Sequence, residues 1–300
     1  MKKYRIYQVD SFTKSRFHGN PAGVVPNAEG LSEEQMQRIA RELNNSETAF
    51  IFEGNSPEYD VEVRFFTPTT EVPICGHATV AAHYVRALEK NAETERVIQK
   101  TKAGILPVDV IKCENDYSII MTQGKPEVSE DLGADIRSEI AEALQISDTD
   151  LCKEYPIAIA STGHSKVMVP IYSNERLHSL RPDMQKLINI SEKIGCNGYY
   201  IFTLNPEEKI LVHGRMFAPA IGIAEDPVTG NANGPLGAYL VHYGILQSGN
   251  ETCFEFDIVQ GEAIRREGRM HVRVERTKGE PTLVQIIGTA VVAFTTEVIL

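Results

Sequence analysis

The 300-residue chain lacks the signatures of several large functional classes. No stretch approaches the roughly 18 apolar residues that a membrane-crossing helix needs. The opening MKKYRIYQVD carries two lysines but no apolar run of signal-peptide length. Positive charge is short: 30 Lys and Arg stand against 41 Asp and Glu, a formal net charge of −11. Such a surface repels phosphate backbones and anionic lipid, so neither nucleic acid nor a membrane is an expected partner. Cysteine is scarce. There are five, an odd number, and no two lie in a CxxC. That argues against a disulfide framework or a zinc knuckle and fits a reducing cytoplasm. No GxGxxG or GxxxxGK[ST] supports nucleotide binding, and no HExxH, histidine pair or carboxylate cluster supports a metal. The expectation is a cytoplasmic protein with no cofactor and no metal. What is present, 42% hydrophobic and 24% charged residues, is ordinary globular composition, and the length suits two domains of roughly 150 residues each.

The chain repeats itself at about half its length. Glu71-Val-Pro-Ile-Cys-Gly-His-Ala78 matches Glu225-Asp-Pro-Val-Thr-Gly-Asn-Ala232, with the shared pattern E-x-P-x-[CT]-G-x-A. Upstream of each, Arg64-Phe-Phe-Thr-Pro68 matches Arg215-Met-Phe-Ala-Pro219, and Asn45-Ser-Glu-Thr-Ala-Phe-Ile-Phe52 lies against Gly195-Cys-Asn-Gly-Tyr-Tyr-Ile-Phe202. Gly19 with Val25-Pro26 matches Gly163 with Val169-Pro170. Four matches in one order argue for a duplicated half with small insertions. The expected boundary lies in the polar stretch Gln123–Gly133, giving halves 1–125 and 126–300. The terminal run Ile286–Phe294 reads as one long strand, and the last segment, about 286–300, can complete either half.

Local patterns support the repeat. Each half opens with strands, Tyr4–Val9 and Ala22–Val25, then Ile157–Ala160 and Lys166–Val169. A helix follows. Ser32 with Gln35 forms a capping box ahead of the stripe Met36, Ile39, Ala40, Leu43. Asp183 caps the counterpart with Met184, Leu187, Ile188 and Ile194, closed by Gly195. Further strands fall at Ala49–Phe52, Val61–Phe66, Tyr199–Thr203 and Ile210–Phe217. The helices Ala78–Leu88 and Ala232–Tyr243 are apolar nearly all round, the mark of burial. Turn signals stand at Asn115-Asp116 and Glu267-Gly268. The expected class is α+β: two duplicated, pseudo-twofold-related domains, each a barrel-like mixed sheet around a central helix.

Gly76 and Gly230 open the two buried helices. Glycine admits close approach of a ligand, and the exposed N–H groups and dipole of a helix start favour an anion. The matched positions diverge in their chemistry. Glu47 stands against Asn197, His77 against Asn231 and Cys75 against Thr229, so only the first copy offers groups that exchange a proton near neutral pH. Glu47 enters a strand at the edge of the core, a placement that suits a carboxyl able to take and return a proton. Asp226 is the polar contribution of the second copy. Cys75, at a helix start, is a possible thiolate, but Thr229 opposite it leaves no two-thiol racemase; it reads as structural or substrate-contacting. His83 and His242 fall inside the buried helices, and the remaining histidines do not cluster in the sequence. Gly234 and Gly237 read as close-packing positions.

Val9-Asp-Ser-Phe12 with Gly19-Asn-Pro-Ala-Gly23, Ser46-Glu-Thr-Ala-Phe50, Phe66-Thr-Pro68 with the Glu71–Ala78 segment, and Glu225-Asp-Pro-Val-Thr-Gly230 together resemble the phenazine-biosynthesis PhzF-like isomerases, and within them the uncharacterised bacterial isomerases. The resemblance implies the diaminopimelate epimerase-like fold, a site between the two domains, a homodimer and no cofactor. It implies Glu47 as the catalytic acid/base, with Gly76, His77, Asp226 and Gly230 around a small carboxylate-bearing substrate; their motif neighbours Ser46, Cys75 and Asn231 are expected to contact it as well. Asn231 departs from the small residue of the phenazine enzymes, which argues against their substrate. The lead expectation is a cofactor-independent proton-moving isomerase. The alternatives are a racemase or epimerase using Cys75 and a carboxylate-binding protein without turnover.

Overall fold

The structure, a computed structural model, describes residues 1–207, 210–245 and 252–300. Two compact units divide it: Met1–Thr122 with Ile287–Leu300, and Gln123–Ile286. The first runs β1 (Lys3–Ser11), β2 (Asn20–Val25), α1 (Glu33–Leu43), β3 (Glu47–Ser56), β4 (Tyr59–Phe66), β5 (Glu71–Val72), α2 (Gly76–Lys90), β6 (Glu95–Thr101), β7 (Gly104–Cys113) and β8 (Asp116–Thr122). The second runs β9 (Glu127–Asp131), α3 (Gly133–Leu144), β10 (Ala158–Ser161), β11 (Ser165–Pro170), α4 (Asn174–Ser179), α5 (Met184–Ile194), β12 (Tyr199–Leu204), β13 (Ile210–Ala218), β14 (Ile223–Asp226), α6 (Gly230–His242), β15 (Cys253–Gln260) and β16 (Gly268–Thr277). The strand β17 (Glu280–Gly288) crosses the division, and β18 (Ala290–Ile299) ends the chain.

In the first unit β18 pairs antiparallel with β1, β1 antiparallel with β2, and β2 parallel with β3; β4 then pairs antiparallel with β3 and with β5 and parallel with β6. Antiparallel β6–β7 and β7–β8 pairs follow. This sheet curls about α2, which packs on β1, β2, β3, β7, β8 and β18. Enclosure explains why α2 is apolar on every side: its buried set runs from Gly76 through Val85 without a gap. The amphipathic α1 lies on the outer face, where Met36, Ile39 and Ala40 join Tyr4, Ile6, Val25 and Phe50 in one cluster. Strand β3 therefore buries both its faces: Phe50 meets α1, and alternation turns Ala49 and Ile51 the other way.

The second unit repeats the succession of pairings. β9–β10 and β10–β11 are antiparallel, β11–β12 parallel, β12–β13 and β13–β14 antiparallel, β13–β15 parallel and β15–β16 antiparallel. Helix α6 packs on β9, β10, β11 and β16. Its Gly237 stands where a Cβ would come within 2.8 Å of Val274 and 2.9 Å of Val272, so the glycine lets the helix sit down on β16. Helices α3, α4 and α5 cover the outer face through Ile140, Leu144, Leu177, Leu187 and Ile190.

Both helix starts expected from the sequence are present. Ser32 and Gln35 close the capping box of α1, and the Asp183 side chain accepts from the Lys186 N–H of α5, which ends on a left-handed Gly195. The polar stretch Gln123–Gly133 holds β9, since Glu127–Asp131 pairs with β10. One expectation needs correction. The terminal run is not one strand: it breaks at Thr289, whose hydroxyl donates to the Tyr117 carbonyl at 2.8 Å and whose own carbonyl receives the Phe12 N–H at 2.7 Å. Glu267-Gly268 closes the connection from β15 to β16, where Gly268 pairs with Gln260, and the left-handed Lys278 and Gly279 turn the chain from β16 into β17.

Candidate active site

Glu47 is the first residue of β3, held in parallel register with Ala22 of β2. Its side chain is 16% exposed. Adjacent in space is the start of α2, where Cys75 occupies the N-cap and Gly76 and His77 open the first turn. The Cys75 side chain makes no capping bond to the first turn of α2. That differs from α1, α4 and α5, which Ser32, Ser173 and Asp183 cap.

His77 links the group. Its Nε2 lies 3.4 Å from the Glu47 carboxylate and 3.3 Å from the Ser46 hydroxyl, and its Nδ1 lies 3.4 Å from the Cys75 sulfur. The backbone is pinned as well: the Ser11 hydroxyl donates to the His77 carbonyl at 2.7 Å, and Thr79 donates to that of Cys75 at 2.7 Å. The first unit thus brings Ser46, Glu47, Cys75, Gly76 and His77 together. Glu47, Cys75 and His77 offer ligand atoms within 4.8 Å of one another. His83, two turns along α2, is a core residue instead. Burial drops its pKa to about 4 against the Gln99 bond at 3.0 Å, so the ring is neutral at physiological pH.

In the second unit Asp226 ends β14, and Gly230 and Asn231 open α6. The N-cap Thr229 gives its hydroxyl to the Asp226 carboxylate rather than to the helix. Gln260 braces this turn: its Oε1 accepts the Thr229 N–H at 3.1 Å and its Nε2 donates to the Asp226 carbonyl at 2.8 Å. Asn233 ties to the same Gln260 at 3.0 Å and receives the Tyr200 hydroxyl at 2.5 Å. Gln123 Nε2 stands 3.5 Å from both the Gly230 carbonyl and the Asn231 Oδ1.

Sequence reasoning missed Gln260, Asn233 and Lys166. Burial lowers the Lys166 pKa from the usual lysine value, with Cys196 and Asp226 opposing the shift. Its one signal in the sequence is the repeat, which sets Lys166 against Ala22, the register partner of Glu47. The expectation that the histidines stay apart is corrected too. His178, His213 and Glu262 converge from three elements, a meeting that no short spacing announces.

The model of the phenazine biosynthesis-like (PhzC-PhzF) proteins matches residues 9–296. The chain belongs to this family. An uncharacterized isomerase of Clostridium acetobutylicum is 58% identical over all of this chain and 99% of its own length. The trans-2,3-dihydro-3-hydroxyanthranilate isomerase of Pseudomonas chlororaphis is 32% identical over 94% of this chain and 95% of its own. Among solved structures, a PhzF-family phenazine biosynthesis protein of Bacillus anthracis superposes with a TM-score of 0.89 at 34% identity, all of both chains being covered. The chain is accordingly an enzyme of the isomerase class with a mixed α+β fold. No helix among the described residues is long and apolar enough to cross a membrane.

Proposed function

We propose that this enzyme moves a proton on a small carboxylate-bearing substrate, with Glu47 as the acid/base. The observation that carries the reading is the placement of Glu47: a largely enclosed carboxylate, 3.4 Å from His77, beside the uncapped start of α2. The Glu47 carboxylate takes the proton of an acidic C–H bond, the electron pair delocalises into the adjoining unsaturation, and the Glu47 carboxyl, after exchange with solvent, delivers a proton to another carbon. Nothing is oxidised or reduced. His77 orients the substrate and accepts or donates a hydrogen bond as charge shifts, and the N–H groups at Gly76 receive the carboxylate. Asp226, Gly230 and Asn231 are assigned to the same substrate. The like succession of strand pairings supports origin of the halves by duplication, and the active form is proposed to be a homodimer that needs no cofactor.

The test is deuterium uptake in D₂O, followed by NMR, for trans-2,3-dihydro-3-hydroxyanthranilate and a panel of cyclic and unsaturated carboxylates. Glu47→Gln is expected to bind a turned-over substrate but to exchange it at least about 10³-fold more slowly. Retention of most of the exchange in Glu47→Gln removes the carboxylate from the mechanism. The 3.4 Å approach of Cys75 to His77 favours one second reading, a thiolate base for epimerisation. Unchanged exchange in Cys75→Ser eliminates it. Binding of a good ligand with no exchange in the native protein identifies a carboxylate binder instead.

A further inference from the structure

His178 lies on the short helix α4, His213 on β13, and Glu262 directly after Gly261, whose left-handed φ of +87° turns the chain out of β15. The three side chains meet on one carboxylate oxygen. His213 Nδ1 is 2.8 Å and His178 Nε2 3.2 Å from Glu262 Oε2, and all three residues offer ligand atoms within 4.8 Å of one another. The Glu47 chemistry makes no use of this cluster.

We propose that His178, His213 and Glu262 form a binding site for a divalent transition metal ion of the zinc class. Two imidazoles and a carboxylate suit such an ion better than magnesium or calcium, which take oxygen donors. The spacing suits it as well. Ligands about 2.0–2.1 Å from a tetrahedral ion stand roughly 3.3 Å from one another, and the observed 2.8 and 3.2 Å separations need only a few tenths of an ångström of opening. His178, whose side chain is 38% exposed, already stands near that distance, and a small rotation of the Glu262 carboxylate, 25% exposed, away from the 11% exposed His213 makes the remaining room. Three protein ligands leave a fourth position for water on the solvent side. The ion would tie α4 to β13 and to the Gly261 turn, and binding to the folded form alone would stabilise it by mass action.

The test uses the full chain, stripped with chelator and dialysed, then titrated with ZnCl₂ by calorimetry and with CoCl₂ by absorption. One equivalent of zinc is expected, with a rise in melting temperature. Both are expected to vanish in His178→Ala, and affinity in Glu262→Gln should fall by more than the roughly 10–100-fold that losing an outer-shell partner costs. His178 is partly exposed, so its variant is expected to keep the native circular dichroism even where Glu262→Gln does not fold. The cobalt form should show tetrahedral bands without thiolate-to-cobalt charge transfer. A thiolate band that Cys75→Ser abolishes would put the ion at Glu47, Cys75 and His77 and overturn the assignment. So would the lack of stoichiometric binding, or binding unchanged in His178→Ala.

Discussion

Arg64 grips Glu71 through two parallel bonds, Nε to Oε1 at 2.7 Å and Nη2 to Oε2 at 2.6 Å. Arg215 holds Glu225 in the same way at 2.8 and 2.7 Å. The glutamate that opens each E-x-P motif is therefore an anchor: it fixes the loop that leads to Cys75 in one unit and to Thr229 in the other. Paired forks of this kind add geometric definition as well as energy.

Loss of one partner from such a pair leaves a charge poorly compensated. The Glu71 side chain is 6% exposed, so Glu71→Gln is expected to cost about 3 kcal/mol in urea unfolding at pH 7. Burial pushes the Glu71 carboxyl up, but Arg64 and Lys102 outweigh it and hold the group below the ordinary carboxylate range. A lowered folded-state pKa gives stability that is present above the unfolded value, about 4.3, and is lost as pH falls through the folded value. The gap between native protein and Glu71→Gln should therefore narrow below about pH 4. A gap unchanged from pH 7 to 3 would show that the charge is not what matters.

His83 shows the same sign at a higher pH. Its folded pKa of about 4 lies below the ordinary histidine value of 6.5, so the unfolded chain binds the extra proton first. Stability from this group is complete above about pH 6.5 and falls between there and pH 4, by roughly 3 kcal/mol in all. His83→Gln cannot titrate. Its stability curve over that window should be flatter than that of the native protein, which equilibrium denaturation at four or five pH values will resolve.

The parts of the fold legible in the sequence were those written in local chemistry. The Ser32–Gln35 box, the Asp183 cap and the Gly195 stop depend on residues within a few positions, and all three are in place. The all-apolar α2 announced its enclosure. Strand β9 was hidden because Glu-Val-Ser-Glu-Asp is mostly exposed and pairs along one edge, so its composition is that of a loop. The break at Thr289 was hidden for the converse reason: apolar β-formers run on both sides of it, and what interrupts them is the distant Tyr117 and Phe12. The grouping of Ser46 and Glu47 with Cys75 and His77 followed from motifs that contrast between copies. Gln260 and Asn233 had no such contrast to betray them.

Gly214 shows how closely the second unit is packed. A Cβ there would stand 1.9 Å from the Tyr200 hydroxyl oxygen and 2.3 Å from Cζ. Tyr200 has no room to withdraw, since it is fully buried and its hydroxyl is committed to Asn233. Gly214→Ala is expected to destabilise by about 3 kcal/mol, the upper range for one methyl forced into a filled core. A melting temperature within 1–2 °C of the native value would mean that the strand yields far more readily than a close-packed interior does.

Thr229 tests whether the second turn serves the reaction through Asp226. Its hydroxyl donates to the Asp226 carboxylate and accepts from Gln260 Nε2 at 3.1 Å. Thr229→Val keeps the shape and removes both bonds, at a cost of about 1–2 kcal/mol in stability. Gln260 retains its bond to the Asp226 carbonyl at 2.8 Å, so the backbone of the turn should persist while the carboxylate loses its aim. Misplacing a positioning group by an ångström can cost about 10²-fold in rate. Deuterium exchange in Thr229→Val is therefore expected to fall by roughly tenfold to a hundredfold, with Thr229→Ser, which restores the hydroxyl, close to native. A loss in Thr229→Ser with none in Thr229→Val would trace the effect to packing of the methyl group and release Asp226 from its assigned part.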